Sequence, residues 1–511
     1  MTKLRLALDI GTTAIKAAAF TPDGACMATM QRASATITAP GGRSEQDMEG
    51  VWRTVCAVLQ GLARQLDPSE IGSLGICAQG DGFWAVDADG QPLGNAILWN
   101  DTRAAADVTA LERSGASDAV GRASHTSLWP GTSGALWRWL RRAEPERAAR
   151  VAHVFTCGDW IGYRLTGVAA TDRANGSIPF LDLSTGRYSR EALAALDCED
   201  LGELLSRPQP ADTRLGTILP GMAEATGLPA GLPVATPTLD LAAMILGMGM
   251  ERPGETMMIM GTTAVVNILT DSVVPESQPA GASALHPTSD AIIRILAPST
   301  GASAFDWFAG LHPTSLGGED AGAIAAKLDT LVTDVPPGAN GVTFLPYLSG
   351  ERAPFVSPDI AAAFHGLTGR SSKADMARAV MEGTAMSLRH CFVSEGGLPD
   401  KPVQLTGGGA RNGTWCQIIA DILGVPVVTS EGFDQGLWGA ATLGAAAAGE
   451  GRAIDLVMRE DRTRQFDPDP ARHEAYDRVF DRYAILSNAA RRTAEELRAL
   501  TADDHSSEDK T

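Results

Sequence analysis

The sequence predicts an α/β protein of two domains, and three observations carry that expectation. The chain has 511 residues, more than one hydrophobic core ordinarily serves. The tetrapeptide Gly11-Thr12-Thr13-Ala14 recurs letter for letter as Gly261-Thr262-Thr263-Ala264, each copy set between two apolar runs. Elsewhere, apolar strand-like runs lead through glycine-rich loops into segments of helical spacing. We expect a first domain over residues 1–243, a second over 244–500, and a polar, disordered tail over 501–511.

The first apolar run contains Leu4, Leu6, Ala7, Leu8 and Ile10, and Ile15 to Phe20 follows its turn; Met257 to Met260 and Val265 to Ile268 flank the second. Strand, tight turn, strand is the reading of each copy. A glycine followed by two small hydroxyl residues lets the backbone approach an anion and offers N–H and hydroxyl donors. A lone copy is more ordinarily a hairpin turn, but two identical ones point to a pair of phosphate-gripping turns, Gly11, Thr12, Thr13 and Gly261, Thr262, Thr263. Asp9 closes the first apolar strand, where a carboxylate is costly unless it meets a cation or donors. It is therefore a candidate Mg²⁺ partner through water; Ile259 holds that place in the second copy.

Residues 4–38 read as a three-stranded meander, with Thr21-Pro22-Asp23-Gly24 as a turn. Met48 to Leu66 has helical spacing, and Ile71 to Cys77 is a buried strand running into Ala78-Gln79-Gly80-Asp81-Gly82. Polar groups and glycines at strand ends are where open α/β sheets bind ligands. Ala96 to Arg103 closes an apolar strand with Trp99, Asn100, Asp101 and Arg103, the mixture of aromatic face, donors and acceptors that holds sugars; a packed tryptophan beside a surface salt bridge is the ordinary alternative. The span from 104 to about 205 is mostly helical by spacing, with Asp159 either a helix cap or a ligand.

Val234-Ala235 is a short strand before a small-residue helix, and Asp240 stands at that junction. As a helix cap it would contribute ~1 kcal/mol; as a general base it would face a substrate, and local sequence leaves both open. Ile292 to Leu296 reads as a strand before Ser299-Thr300-Gly301-Ala302 and a helix, Val342 to Leu348 as a strand, and Ala374 to Arg389 as an amphipathic helix. Val403 to Leu405, the loop Thr406 to Asn412, and the helix from Thr414 to Leu423 form a strand, glycine loop, helix unit that sets N–H groups beside a phosphate or a nucleoside. It lacks the GxGxxG pattern of a dinucleotide fold. Gly436 to Gly449 should pack a helix close to its neighbour, and 473–500 is a charged amphipathic helix.

With 42 basic and 61 acidic residues the net charge is −19, which argues against a nucleic-acid or anionic-membrane partner. Seven cysteines without CxxC spacing read as reduced thiols in a cytoplasmic protein. The N-terminus opens on a strand rather than a signal peptide, and no uncharged run approaches the ~20 residues of a membrane span.

Asp9 to Thr13, Leu98 to Arg103, Asp240 before its helix, Met260 to Thr263, Phe344 to Arg352 and Gly407 to Asn412 occur in an order that resembles the FGGY carbohydrate kinases over about residues 4–490. The resemblance implies two actin/hexokinase-like, ribonuclease H-like domains closing over an interdomain cleft, with ATP and Mg²⁺ as cofactors and a homodimer as a compatible assembly. It implies Asp240 as general base, Asp9 and Asp240 near Mg²⁺, and the two Gly-Thr-Thr turns around the phosphates. Gly301, Gly408, Gly409, Ala410 and Asn412 would serve ATP, and Gln79, Gly80, Asp81, Trp99, Asp101 and Arg103 would line the sugar. The implied activity is ATP-dependent phosphorylation of a hydroxyl of a pentulose such as xylulose, or of erythritol or another polyol. Two departures bear on this. Pro237-Thr238-Leu239 precede the base where many members place glycine, and Gly80-Asp81-Gly82 replaces the Met-His-Gly of D-xylulose kinases, closer to kinases of L-xylulose and erythritol. A non-catalytic sensor on the same scaffold would not need Asp9, Asp240 and both turns, and a chaperone-like ATPase would need a further β-rich domain.

Overall fold

The structure is a computed structural model that describes residues 3–274, 276, 278–311, 329–430, 434–457 and 463–508. The chain divides into two compact units: Met1–Pro253, Leu269–Ile293 and Phe433–Glu460 form the first, and Gly254–Ile268, Arg294–Gly432 and Asp461–Thr511 the second. Neither is one continuous segment, in contrast to the single boundary expected at residue 243.

The first unit is built on a sheet of strands β1 (Leu4–Ile10), β2 (Ala14–Phe20), β3 (Cys26–Ala33), β4 (Ile71–Ala78), β5 (Arg214–Thr217), β6 (Pro233–Ala235) and β7 (Thr238–Leu239). Its order is β5-β6-β4-β1-β2-β3, with β7 also paired to β4. The meander β1-β2-β3 is antiparallel, with Leu8 opposite Ala17 and Ala17 opposite Met30. Around β4 the pairing is parallel: Asp9 stands opposite Cys77, and Cys77 opposite Thr238. Strand ends at Ile10, Ala78 and Leu239 therefore lie side by side, and whatever follows each strand emerges at one edge of the sheet.

Alternation along β1 explains its two coats. Leu6, Leu8 and Ile10 pack with Val55, Leu59 and Leu62 of the helix Met48–Ala63, whereas Ala7 joins Ala18, Cys77, Ala243, Trp438 and Ala440. The second coat is the small-residue helix Gln435–Ala447, whose close fit needs glycine: a Cβ on Gly75 would stand 1.7 Å from the Ala440 carbonyl oxygen, and one on Gly439 1.9 Å from that of Ala243. This packing is why residues 434–457 belong with the first unit. Likewise Leu285 N donates to Ser177 Oγ (2.9 Å) and Ser127 N to the Gly281 carbonyl (2.8 Å), which tie 269–293 to it. Between β4 and β5 the helices Ala105–Ser114, Ser117–Ser124 and Ser133–Ala143 surround a separate core of Phe83, Trp137, Leu140 and Phe180, interspersed with two-residue strands the helical spacing did not predict.

The second unit repeats the scheme with β8 (Thr256–Met260), β9 (Ala264–Thr270), β10 (Ile292–Leu296), β11 (Val403–Thr406), β12 (Val427–Ser430) and β13 (Thr463–Phe466), ordered β10-β9-β8-β11-β12-β13. β8 and β9 form an antiparallel pair around the second Gly-Thr-Thr, and β8 pairs in parallel with β11. So β8, β9 and β11 correspond to β1, β2 and β4, a duplication the repeated tetrapeptide announced. Helices Lys373–Ser394 and Gly413–Leu423 carry much of its apolar core. Helix Pro470–Glu508 runs on through residues expected as a disordered tail, leaving only 509–511 of that span outside the described residues. All seven cysteines are free, five of them buried, and among the described residues no helix is long and apolar enough to cross a membrane.

Candidate active site

The parallel strand ends of the first unit collect its carboxylates. Asp9 sits next to the end of β1 and faces Lys16 across the β1-β2 pair, with Lys16 Nζ 3.7 Å from Asp9 Oδ2 and 3.0 Å from Asp434 Oδ2. Asp434 caps the helix Gln435–Ala447, accepting from Leu437 N at 3.2 Å. Burial, then the charges of Asp240 and Asp434, push the Asp9 carboxyl up to about 7 against the opposing pull of Lys16.

Asp240 is the first residue of the helix Asp240–Gly247, whose cap is Leu239, so the plain-cap alternative falls away. Its Oδ1 accepts from Leu241 N at 2.6 Å, yet burial still lifts its carboxyl to about 6. Asp81 has φ +54°, a left-handed conformation costing ~1–2 kcal/mol for a residue with a side chain. Glycines on both sides make this turn feasible. A Cβ on Gly80 would lie 2.3 Å from Leu239 Cδ1, and one on Gly82 2.5 Å from the Ile97 carbonyl oxygen. The loop is thereby pressed against the residue before Asp240, and burial followed by the Asp240 charge raises the Asp81 carboxyl to about 7. Both side chains keep some solvent-accessible surface despite this burial, as recessed groups open to a ligand do.

The first Gly-Thr-Thr turn is closed by Gly11 N donating to the Ala14 carbonyl (3.0 Å). The Thr12 hydroxyl donates to Gln79 Oε1 (2.9 Å) and accepts from Trp99 Nε1 (3.4 Å), while Gln79 Nε2 donates to Gln46 Oε1 (2.8 Å). Turn, Gln79 and the 38 % exposed Trp99 thus form one connected wall, leaving Thr13 exposed. Asp101 and Arg103 form the salt bridge that was the alternative to sugar binding at this strand end, and it is buried where a surface pair was expected. Their side chains are 0 % and 3 % exposed; Asp101 accepts from Ser44 N, Arg103 N and the Arg103 guanidinium, which also reaches Glu45 Oε1 at 2.6 Å. Each needs a partner once buried and finds it in the other, so the pair braces the strand end instead of presenting free groups to a sugar.

In the second unit, Gly261 N donates to the Thr263 carbonyl (3.0 Å), Gly301 N to that of Thr262 (3.0 Å) and Ala302 N to that of Gly261 (2.7 Å). Gly301 fits there because a Cβ would stand 2.4 Å from the Thr263 carbonyl carbon, and Gly407 (φ +91°) backs onto Met260 in the same way. The predicted nucleotide-side residues Gly261 to Thr263, Gly301 and Gly408 to Ala410 are therefore gathered on neighbouring loops, with open space beside Gly408. Asn412 is a helix cap, accepting from Trp415 N (2.8 Å) and donating to Asp329 (3.0 Å), so both ends of its amide are engaged. Glu351, buried, accepts from Ser299 N (2.8 Å) and Arg352 N (2.9 Å) and anchors the loop that carries Gly301.

Among the described residues no group of three or more His, Cys, Asp or Glu side chains could hold a metal unaided. Asp9 and Asp240 nevertheless form an acidic site that Lys16 compensates only in part. That suits Mg²⁺, which keeps several waters and binds proteins through one or two carboxylates together with phosphate oxygens. Lys16, Asp434 and Glu351 were missed from sequence. Their signals were a lysine inside an apolar strand, an acid directly before an alanine-rich helix, and an acid directly after a strand-end glycine.

The profile described as the FGGY family of carbohydrate kinases, N-terminal domain, matches residues 4–247, and that of the C-terminal domain matches 256–448. Xylulose kinase of Escherichia coli (strain K12) is 32% identical over 482 residues, covering 92% of this chain and 96% of that protein. Erythritol kinase of Brucella abortus (strain 2308) is 28% identical over 495 residues, covering 94% of each. Among solved structures, xylulose kinase from Rhodospirillum rubrum superposes with a TM-score of 0.88 at 27% identity, over 96% of this chain and 100% of that one. With both halves matched and the two-domain fold shared, the chain belongs to the FGGY family of carbohydrate kinases.

Proposed function

We propose that this carbohydrate kinase transfers the terminal phosphoryl group of ATP to a hydroxyl of a small open-chain sugar, a pentulose such as xylulose first among them, with Asp240 as general base. The observation that supports the base most directly is its placement: Asp240 heads a helix at the same sheet edge as Asp9, pressed against the Asp81 loop, with a carboxyl at about 6. A carboxylate of that strength is largely ionised at neutral pH and basic enough to take a hydroxyl proton as the oxygen attacks phosphorus.

Asp81 and Gln79 would orient the sugar hydroxyls, and Trp99 would cover the C–H face. The glycine turns of the second unit would hold the nucleotide: Gly261 N, Gly301 N and Ala302 N close the turns on their own carbonyls, and the hydroxyls of Thr262 and Thr263 would face phosphate oxygens. Mg²⁺, when bound, would neutralise phosphate charge, held through water by Asp9 and Asp240.

The second reading, a kinase of erythritol or another polyol, is favoured by Gly80-Asp81-Gly82 and by the similarity to the Brucella erythritol kinase. A carboxylate accepting from two adjacent hydroxyls suits a linear polyol as well as a ketose. The test is an ADP-release screen across L- and D-xylulose, D- and L-ribulose, erythritol and glycerol, with wild type and Asp81→Ala. Highest kcat/KM on a xylulose supports the first reading, and highest kcat/KM on erythritol replaces it with the second. Asp81→Ala should alter the ranking of substrates, and an unchanged ranking removes its assigned role.

A further inference from the structure

Behind Asp81, within the first unit, lies a cavity of about 30 Å³ whose walls include Thr156, Asp159, Asn175, Tyr188 and Ser206. That volume admits one or two water-sized bodies. Its lining holds unused acceptors: Asp159 Oδ1, Asn175 Oδ1 and Ser206 Oγ make no hydrogen bond, although Asp159, Asn175 and Ser206 are only 2%, 7% and 8% exposed, and the Thr156 hydroxyl oxygen joins them from its capping box with Asp159. The other Asp159 oxygen accepts from Thr156 N at 3.3 Å. Burial and nearby Asp172 raise the Asp159 carboxyl to about 7 against the pull of the Thr171 and Thr156 hydroxyls. Asp172 is already satisfied by Thr238 Oγ1 (2.6 Å) and Asn175 N (2.8 Å), and no lysine or arginine lines the cavity.

A buried acid such as Asp159, with no basic side chain lining its cavity, needs a positive charge or a proton. Water would meet the stray acceptors but leave the charge uncompensated. A hydrated divalent ion is too large for the space, since Mg²⁺ sheds its waters reluctantly. We propose that the cavity binds one dehydrated alkali-metal cation, K⁺ or Na⁺, through Asp159, Asn175, Thr156 and Ser206. These oxygens come from the start of the helix Cys157–Thr166, the short helix Arg173–Ser177 and the loop at Ser206, so the ion clasps three separate segments. Asp81 lines the same cavity, and Asp172 holds the hydroxyl of Thr238, two residues before Asp240. A cation here orders the supports of both carboxylates.

Crystals of the full chain soaked in Rb⁺ or Tl⁺ provide the direct test. An anomalous peak in the cavity is expected, and ordered water alone there overturns the proposal. In solution, melting temperature in KCl or NaCl should exceed that in choline chloride at equal ionic strength by about 2 °C or more. Ser206→Ala and Asp159→Asn should shrink or abolish that difference. Equal melting of the wild type in all three salts overturns the proposal, as does a difference that persists unchanged in Ser206→Ala. Because the soak and the salt series use the unmodified protein, a misfolded Asp159→Asn does not blunt the test.

Discussion

Lys16 Nζ stands 3.0 Å from Asp434 Oδ2, a contact that ties the second strand of the first unit to a helix cap 418 residues further along the chain. The same ammonium lies 3.7 Å from Asp9, the only cation opposing burial, Asp240 and Asp434 among the causes that set its carboxyl. Lys16→Met should leave the fold intact, since the side chain is 37% exposed, but lower kcat about 100-fold by unbalancing the acidic site. Steady-state kinetics within twofold of wild type would remove Lys16 from the machinery.

Asp240→Asn keeps the shape of the side chain and removes its basicity. Turnover should fall by about 10³-fold or more, while calorimetric titration with ATP still shows binding, because the nucleotide is assigned to loops of the second unit. Near-normal ADP release by this variant would end the role of Asp240 as base.

The pH dependence follows from the same residue. Its carboxyl, raised from 3.8 to about 6, is protonated and useless as a base below that value and competent above it, so activity should climb as pH rises through about 6. Asp9, at about 7 without metal, extends the acid limb upward wherever Mg²⁺ is limiting. A kcat/KM profile that stays flat down to pH 4.5 contradicts this assignment.

Gly75→Ala tests the packing that carries Asp434 to the sheet edge. Its Cβ would meet the Ala440 carbonyl at 1.7 Å, a backbone clash no rotamer relieves, and the loss should reach about 3 kcal/mol or more. Gly221→Ala, with nothing within 4 Å of its Cβ, is the matched control and should be neutral or slightly stabilising. Equal unfolding midpoints for the two variants would show that the helix Gln435–Ala447 can shift aside.

Much of this was legible in the sequence because it is local. The Gly-Thr-Thr turns, the meander β1-β2-β3 and the glycine loop at 407–412 are each specified by a few neighbouring residues, and they form where expected. What was not legible depends on distant partners. Nothing beside Asp434 says that it will face Lys16, and nothing beside Asp101 says that the distant Ser44 N–H will take up one of its oxygens. The division of the chain escaped for the same reason: Gly439 and Gly444 announce a close approach without naming Ala243 and Gly75 as the surfaces approached.

His286 offers a measure of stability independent of catalysis. Fully buried, its Nε2 is 3.0 Å from the Met250 carbonyl, and burial lowers its pKa from 6.5 to about 4. The folded protein therefore keeps this imidazole neutral where the unfolded chain protonates it. The stabilisation is fully present above pH 6.5 and is lost as pH falls from 6.5 towards 4; across that gap the linkage amounts to roughly 3 kcal/mol. Acidic groups elsewhere titrate in overlapping ranges, so the informative quantity is a difference between proteins. Urea unfolding at pH 5 and pH 7.5 should show the wild type weakening towards acid more than His286→Gln, in which an amide N–H can still donate to Met250. If the variant weakens towards acid by the same amount, the buried imidazole is not the source, and its proton uptake on unfolding must be far smaller than its burial implies.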